Sequence, residues 1–418
     1  METHSCWRCG VLVAERYEPQ SRKVGFAELT FRELDFARPY FGDEEREAVR
    51  AVMAGHWLAS GKQNQQFEWE FAKHVGARHA LCVNSGSMAN LIALASLNLA
   101  KGSRILTSGC GFPATLAPIL HLGLEPVLVD YDIPSFNIDL DHVMHQIANV
   151  DAILLAHTMG NPVDMRKIMH YADHFGVQVI EDCCEAIGAT LDGQQVGTFG
   201  DAGTYSFYPS HQITALGGGG MIVFKTERQY HMAKSMRDWG KSATWDREGQ
   251  HNTVYNHDVD GIPYFAHYSY STVGWNAKLP EANAAFGREQ LKRLAWVVRE
   301  RRKNHDLIMS MLSKRVTEQL SAVAVPDGAM PSWFGVLLTP LETDRVKFGE
   351  ALEARGVRHR PFFAGNITRH EPFKKLRTAL PVADFLMQKT VFVGCYAGMN
   401  DDDCAYIAQA IEESLECA

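Results

Sequence analysis

The sequence predicts an α/β protein: a three-layer sandwich with a mostly parallel central sheet, followed by a smaller C-terminal α+β domain. Three observations carry this. From about residue 45 onward, short apolar segments alternate with amphipathic ones. Those apolar segments are continuous rather than alternating with polar residues, as in strands buried on both faces. Finally, 418 residues with 46% apolar and 22% charged side chains suffice for two or three domains around a substantial core.

Taken in order, residues 1–44 read as an N-terminal arm of mixed charge, 45–285 as the large domain and 286–418 as the small one. Met88, Leu91, Ile92 and Leu99 give a helix face after Ser85-Gly86-Ser87. Strands are predicted at 104–107, 126–130, 152–155 and 177–180, with helices at 139–148 and 163–175 between them. Leu140, Val143, Met144 and Ile147 show the helical spacing. The stretch 202–224 reads as two strands, 204–207 and 221–224, around a glycine-rich turn. A long helix begins near Pro280, its stripe running through Phe286, Leu291, Leu294, Val297, Val298, Ile308 and Leu312. Strands at 333–339 and 391–395 and helices at 343–355 and 401–415 complete the chain. The run Arg299, Arg301, Arg302 and Lys303 is expected to be a solvated helix face.

Composition excludes several classes. A net charge of −8 does not suggest a nucleic-acid binder. No apolar run reaches the roughly 18 residues of a membrane helix. The opening residues have no basic lead to a secretory signal, so the expectation is a cytoplasmic protein without membrane or nucleic-acid partners. Nine cysteines are too sparse for a disulfide scaffold. Cys6 and Cys9 have metal-ligand spacing, but no second pair completes a zinc site. No metal is expected, and Cys183-Cys184 should pack against the core.

Four local patterns carry chemistry. Asn84-Ser85-Gly86-Ser87-Met88-Ala89-Asn90 joins a strand to a helix; it is either an anion site at a helix N-terminus or a plain serine cap. Val179-Ile180-Glu181-Asp182 puts a carboxylate at the carboxyl end of a buried strand. Its partner is a protonated heterocyclic nitrogen, or else a helix cap or salt bridge. Ser206 and His211 in TYSFYPSH offer a hydroxyl and a group that moves protons near neutral pH; a loop histidine is also commonly structural. Gly274-Trp275-Asn276-Ala277-Lys278 precedes the long helix.

Together, SGSMANL, GCGFPAT, LAHTMGNPVDM, IEDCCEAIGA, GTFGDAGTYSFYPSHQIT, MRDWG, FFAGNITR and VADFLM resemble a fold-type-I pyridoxal-phosphate enzyme. More narrowly they resemble the DegT/DnrJ/EryC1/StrS sugar aminotransferase/dehydratase family, nearest its CDP-4-keto-6-deoxyglucose 3-dehydrase branch. The resemblance implies that Gly86, Ser87 and Ser206 bind the cofactor phosphate and that Phe112 stacks on the pyridine ring. It implies that Asp182 pairs with the pyridinium nitrogen and that Glu185 lies near the ring hydroxyl, where relatives carry Gln or His. Asn276 would reach the phosphate of the neighbouring subunit, so a homodimer is expected.

At position 211 aminotransferases of the family carry the lysine that tethers the cofactor; this chain has His211. An imidazole cannot replace that amine but can serve as acid or base. The next lysine downstream, Lys225, is a poor substitute. The resemblance thus implies a dehydratase that removes the 3-hydroxyl of a nucleotide-linked 4-keto-6-deoxy sugar. Its cofactor, pyridoxal or pyridoxamine 5′-phosphate, would be held without a covalent bond. An aminotransferase, another lyase or a non-catalytic sensor are the alternatives. Of the four cysteines that hold a [2Fe–2S] cluster in the reductase-coupled branch, only Cys184 has a counterpart, and that cluster cannot form with one. Gly218 stands near the usual Glu of the glycine-rich turn. The cluster-free precedent is the GDP-4-keto-6-deoxymannose 3-dehydratase type, in which glutamate regenerates the amine form. Arg355, Arg358, Arg360 and Arg369 are candidates for nucleotide diphosphate contacts or plain surface arginines.

Overall fold

The computed structural model describes residues 31–242 and 257–417. Cys6, Cys9 and most of the predicted arm lie outside them. Seven strands form the central sheet: β1 (His79–Val83), β2 (Arg104–Ser108), β3 (Glu125–Val129), β4 (Ala152–Ala156), β5 (Gln178–Asp182), β6 (Ala202–Ser206) and β7 (Gly220–Phe224). Their order is β1-β7-β6-β5-β4-β2-β3. All run parallel except β7, which is antiparallel to both β1 and β6; the loop 207–219, glycine-rich at its end, returns the chain from β6 to β7. The strands are buried on both faces, except the edge strand β3, where only Val129 is fully buried. Leu81 and Val83 pack on one side of the sheet, and Ala80 and Cys82 on the other.

Helices cover both sides: α1 (Asp43–Ala54), α2 (Lys62–Val75), α3 (Gly86–Ser96), α4 (Pro113–His121), α5 (Leu140–Gln146), α6 (Met165–Phe175), α7 (Glu227–Arg237) and α8 (Glu281–Met311). On one face, α3 and α4 bury Ile92, Leu116 and Ile119 against Leu154, Ile180 and Ile222. On the other, Phe67 and Phe71 of α2 meet Tyr205 and Phe207. Local signals set the ends. Asp139 caps α5 by accepting from the Asp141 and His142 amides, and Gly176 closes α6 in the left-handed region at φ 69°.

The smaller unit has an antiparallel sheet ordered β8-β10-β9, from β8 (Val336–Leu338), β9 (His359–Pro361) and β10 (Val391–Val393). Helices α9 (Arg345–Ala354), α10 (Pro381–Lys389) and α11 (Asp401–Cys417) pack around it. Helix α8 serves both cores: Leu291 and Leu294 join the large one and Ile308 the small one. The described end of the arm is anchored rather than loose. Leu34 pairs with Val357, its amide donating to Gly356 O at 2.8 Å. None of the described helices is long and apolar enough to cross a membrane.

The predicted solvated face of α8 is corrected at Arg301. Arg299 and Lys303 are exposed and pair with Glu300 and Asp401. Arg301 is 2% exposed and donates to the carbonyls of Trp333 and Phe334. Helical periodicity gives the reason, for residue 301 shares a face with Leu294, Val297 and Ile308.

Candidate active site

The site lies where the carboxyl ends of β1, β5 and β6 meet the N-termini of α3 and α4. Ser85 caps α3, its hydroxyl accepting from the Met88 amide at 3.2 Å. The main-chain N–H groups at Gly86 and Ser87 have no carbonyl partner inside the helix and face a positive dipole end. Ser87 is exposed on that first turn. Gly86 is needed for steric reasons: a Cβ there would lie 2.7 Å from Ser206 Cβ and 2.9 Å from Cys184 Sγ. The turn N-H groups, the Ser206 hydroxyl and the Cys184 thiol thus line one small cup. Cys183 is buried in the core as expected, whereas Cys184 is half-buried at this cup. Burial and the nearby Asp182 charge hold the Cys184 thiol well above its ordinary range, so it is protonated.

Asp182 ends β5 and is buried. Its Oδ2 accepts from Asn90 Nδ2 at 2.7 Å and Thr115 Oγ1 at 2.8 Å, and its Oδ1 accepts from the Cys184 amide at 3.1 Å. Strand pleating sends the neighbouring Glu181 to the opposite face. There Glu181 accepts from the amides of Gly197, Phe199 and Gly200 and from His157 Nε2. His157, Glu181 and Cys183 lie close enough to suggest a metal, but these bonds already occupy the carboxylate. Asp182 is therefore the acid that faces the cleft.

Phe112 immediately precedes α4 and is 56% exposed, meeting Phe363 edge-on at 6.3 Å. The small-domain segment 364–367 docks on the loop between β2 and α4 that carries Phe112: the amide of Ala364 donates to Gly111 O and that of Ile367 to Gly109 O. Glu185 is half-buried, accepting from the Met159 amide at 2.7 Å. Burial, with the Asp182 charge adding to it, raises its carboxyl to about 8. Met159 itself sits at φ 55°, a costly conformation for a methionine.

His211 follows Tyr208 in the loop after β6. Its amide donates to Tyr208 O, and its ring lies 5.2 Å from that of Phe334. Its Nδ1 is buried and has no hydrogen-bond partner among the described residues. Burial, reinforced by the Arg301 charge, lowers its imidazole to about 3. Gln212 Nε2 ties the loop to Glu185 O at 2.6 Å and Ser332 O at 2.9 Å. Lys225 follows the far end of β7, where Phe224 pairs with Ala202 while Ser206 pairs with Gly220. It is thus roughly 15 Å along the strand from the cup. Asn276 is exposed beside Asp238 and is not brought to these residues within the chain.

The structure does not hold all four candidate arginines free. Arg355 pairs with Glu413, Arg358 with Glu353 and Arg369 with Asp384; Arg360 lies over Phe36 at 4.2 Å. Sequence reasoning missed Asn90, Thr115, Met159, Gln212 and Phe334. Only Asn90 carried a signal, as a buried polar residue on an otherwise apolar helix face.

Comparison with known proteins fits this geometry. The profile of the DegT/DnrJ/EryC1/StrS aminotransferase family matches residues 39–412. This chain belongs to that family. It is 34% identical over 393 residues to the lipopolysaccharide biosynthesis protein RfbH of Salmonella typhimurium, covering 89% of each. It is 36% identical to the dTDP-4-dehydro-2,6-dideoxy-D-glucose 3-dehydratase of Saccharopolyspora spinosa, over 89% of this chain and 84% of that one. The Escherichia coli GDP-4-keto-6-deoxy-D-mannose-3-dehydratase with bound hydrated PLP superposes with a TM-score of 0.82 at 27% identity, covering 92% of this chain and 100% of that one. The same enzyme type has been solved with a trapped PLP-glutamate geminal diamine. GDP-perosamine synthase of Vibrio cholerae is 25% identical over 91% of this chain and 98% of that one.

The DegT/DnrJ/EryC1/StrS family works with pyridoxal phosphate, and the residues present fit that group. The Gly86 cup suits a phosphate, being lined by N–H and hydroxyl groups and closed to any larger side chain. The exposed Phe112 face and the thrice-bonded Asp182 suit a protonated aromatic ring.

Proposed function

We propose that this family member is a 3-dehydratase acting on a nucleotide-linked 4-keto-6-deoxy sugar, with pyridoxamine 5′-phosphate as its working cofactor and no iron–sulfur cluster. The observation that carries the reading is an imidazole, His211, at the position where an amine would tether the cofactor. The 3-dehydratases among its relatives support it.

When bound, the cofactor would supply an electron sink conjugated with its amine-bearing carbon. Gly86, Ser87 and Ser206 hold its phosphate, and Phe112 covers the ring. Asp182 bonds the ring nitrogen and keeps it protonated. Glu185, protonated at neutral pH, hydrogen-bonds the ring oxygen. His211, neutral in the resting cleft, takes a proton from the amine-bearing carbon. It then delivers that proton to the departing 3-hydroxyl. Glutamate would be the amino donor. The working unit is a homodimer in which Asn276 reaches the partner's phosphate. Beside it run exposed aromatic and apolar side chains, Trp239, Tyr268, Tyr270 and Val273.

The test is a panel of nucleotide 4-keto-6-deoxy sugars with glutamate, read by mass spectrometry. A product lacking the 3-oxygen is expected from the wild type and is lost in His211→Asn. An amino-sugar product retaining the 3-hydroxyl would show an aminotransferase instead.

A further inference from the structure

Arg301 is a cation buried in α8 with no carboxylate partner among the described residues, an arrangement that is costly unless something uses it. It belongs to a set of contacts on four consecutive carbonyls of the strap leading into β8. Arg302 donates to Pro331 O, Gln212 to Ser332 O, and Arg301 to Trp333 O at 2.8 Å and Phe334 O at 2.7 Å. The guanidinium lies 5.9 Å from the Phe334 ring centroid, and that ring lies 5.2 Å from His211. Arg301, Phe334 and His211 thus form a stack running from the helix core into the cleft.

We propose that Arg301 is a positioning residue for His211: its grip on carbonyls 333 and 334 seats the Phe334 ring against the imidazole, and its guanidinium is the fixed charge behind that ring. Other groups around the stack do not cancel the charge. Cys395, beside Arg301, is raised by burial to about 11 and is a neutral thiol. Glu185, tied to the loop through Gln212, is raised to about 8 and holds its proton at neutrality. Tyr208 lies 6.3 Å from His211 ring to ring, and His305, stacked on Trp333, pairs with Asp306. Arg301 is thus the fixed charge that His211 meets, and it acts together with burial.

This inference rests on His211 as the proton-transfer group, but its test does not depend on turnover. The full chain is labelled with 13Cε1-histidine, and the His211 resonance is assigned by its loss in His211→Asn. The titration of that resonance is then followed in wild type, Arg301→Gln and Arg301→Lys. The wild-type midpoint should fall far below the ordinary value of about 6.5. Arg301→Gln, which can still bond a carbonyl but carries no charge, should raise it by on the order of one pH unit. Arg301→Lys should leave it near wild type. A wild-type midpoint near the ordinary value overturns the proposal even if neither variant folds. So does an Arg301→Gln midpoint equal to wild type, or a Lys variant that shifts as far as the Gln one. Retained turnover in His211→Asn would instead remove the proposed reaction and leave the electrostatic result standing.

Discussion

Replacing Asp182 by Asn tests the anchor of the site. The carboxylate accepts three hydrogen bonds, two on Oδ2 from Asn90 and Thr115 and one on Oδ1 from the Cys184 amide. An asparagine can place its single carbonyl at the Oδ2 position and keep both side-chain donors. Its NH2 then points at the Cys184 N–H, leaving two buried donors face to face. That costs the cofactor-free chain about 1–3 kcal/mol. Cofactor affinity should fall further, because a charge-assisted bond to the ring nitrogen becomes a neutral one, a loss of about 1–1.5 kcal/mol or roughly 5- to 10-fold in Kd. Titration of pyridoxal phosphate into the cofactor-free variant, followed by absorbance, gives the Kd; urea unfolding of the same sample gives the stability. Thr115→Val is the control, since it removes one donor and keeps the charge; its Kd should stay within a few-fold of wild type. An Asp182→Asn protein that folds and binds cofactor with wild-type affinity would refute this assignment.

Gly86→Ala places a methyl group 2.7 Å from Ser206 Cβ, an overpacking of about 1–3 kcal/mol that also fills the phosphate cup. Calorimetry should show at least tenfold weaker pyridoxal-phosphate binding, and unchanged affinity would remove the cup from the site. Glu185 is held at about 8 in the folded chain, above its unfolded value, so its stabilising effect is complete below pH ~4.5 and is lost as pH rises through 8. Cofactor-free wild type should therefore lose stability between pH 5 and 8 relative to Glu185→Gln. The loss is at most a few kcal/mol, less what solvent screens at this half-buried side chain. Parallel unfolding curves across that range would contradict the assignment. Iron analysis of anaerobically purified protein should find no stoichiometric cluster; two irons per chain would overturn the cluster-free reading.

Much of the large domain was legible because two-faced burial leaves unbroken apolar runs. Ile153, Leu154 and Leu155, or Val179 and Ile180, have no surface to match and announce a strand. The glycine-rich turn also announced the pair β6 and β7. The pairing of β7 with β1 was not legible, since those strands are more than a hundred residues apart and no local signal links them. Helix α4 escaped notice because Pro118 interrupts its pattern, although Pro113 at the first position favours a start there. Arg301 was misplaced because four basic residues were read as a block rather than by helical phase. At the site, motifs supplied the groups that face the cleft. Asp182, Ser206 and His211 are separated by short stretches of chain, at the end of β5, at the end of β6 and in the loop after β6. What sequence hid is the set of residues that hold them: Thr115 on another helix, Met159 in a strained turn and Phe334 from the small domain. Tertiary packing alone brings these near.

In the proposed reaction no side chain tethers the cofactor, because His211 occupies the place of the amine. Borohydride treatment of the holoenzyme, followed by intact-mass measurement, tests it directly. The unmodified mass of the 418-residue chain is expected, with all cofactor released on denaturation. A mass increase equal to the reduced cofactor, mapped to any lysine, would contradict it.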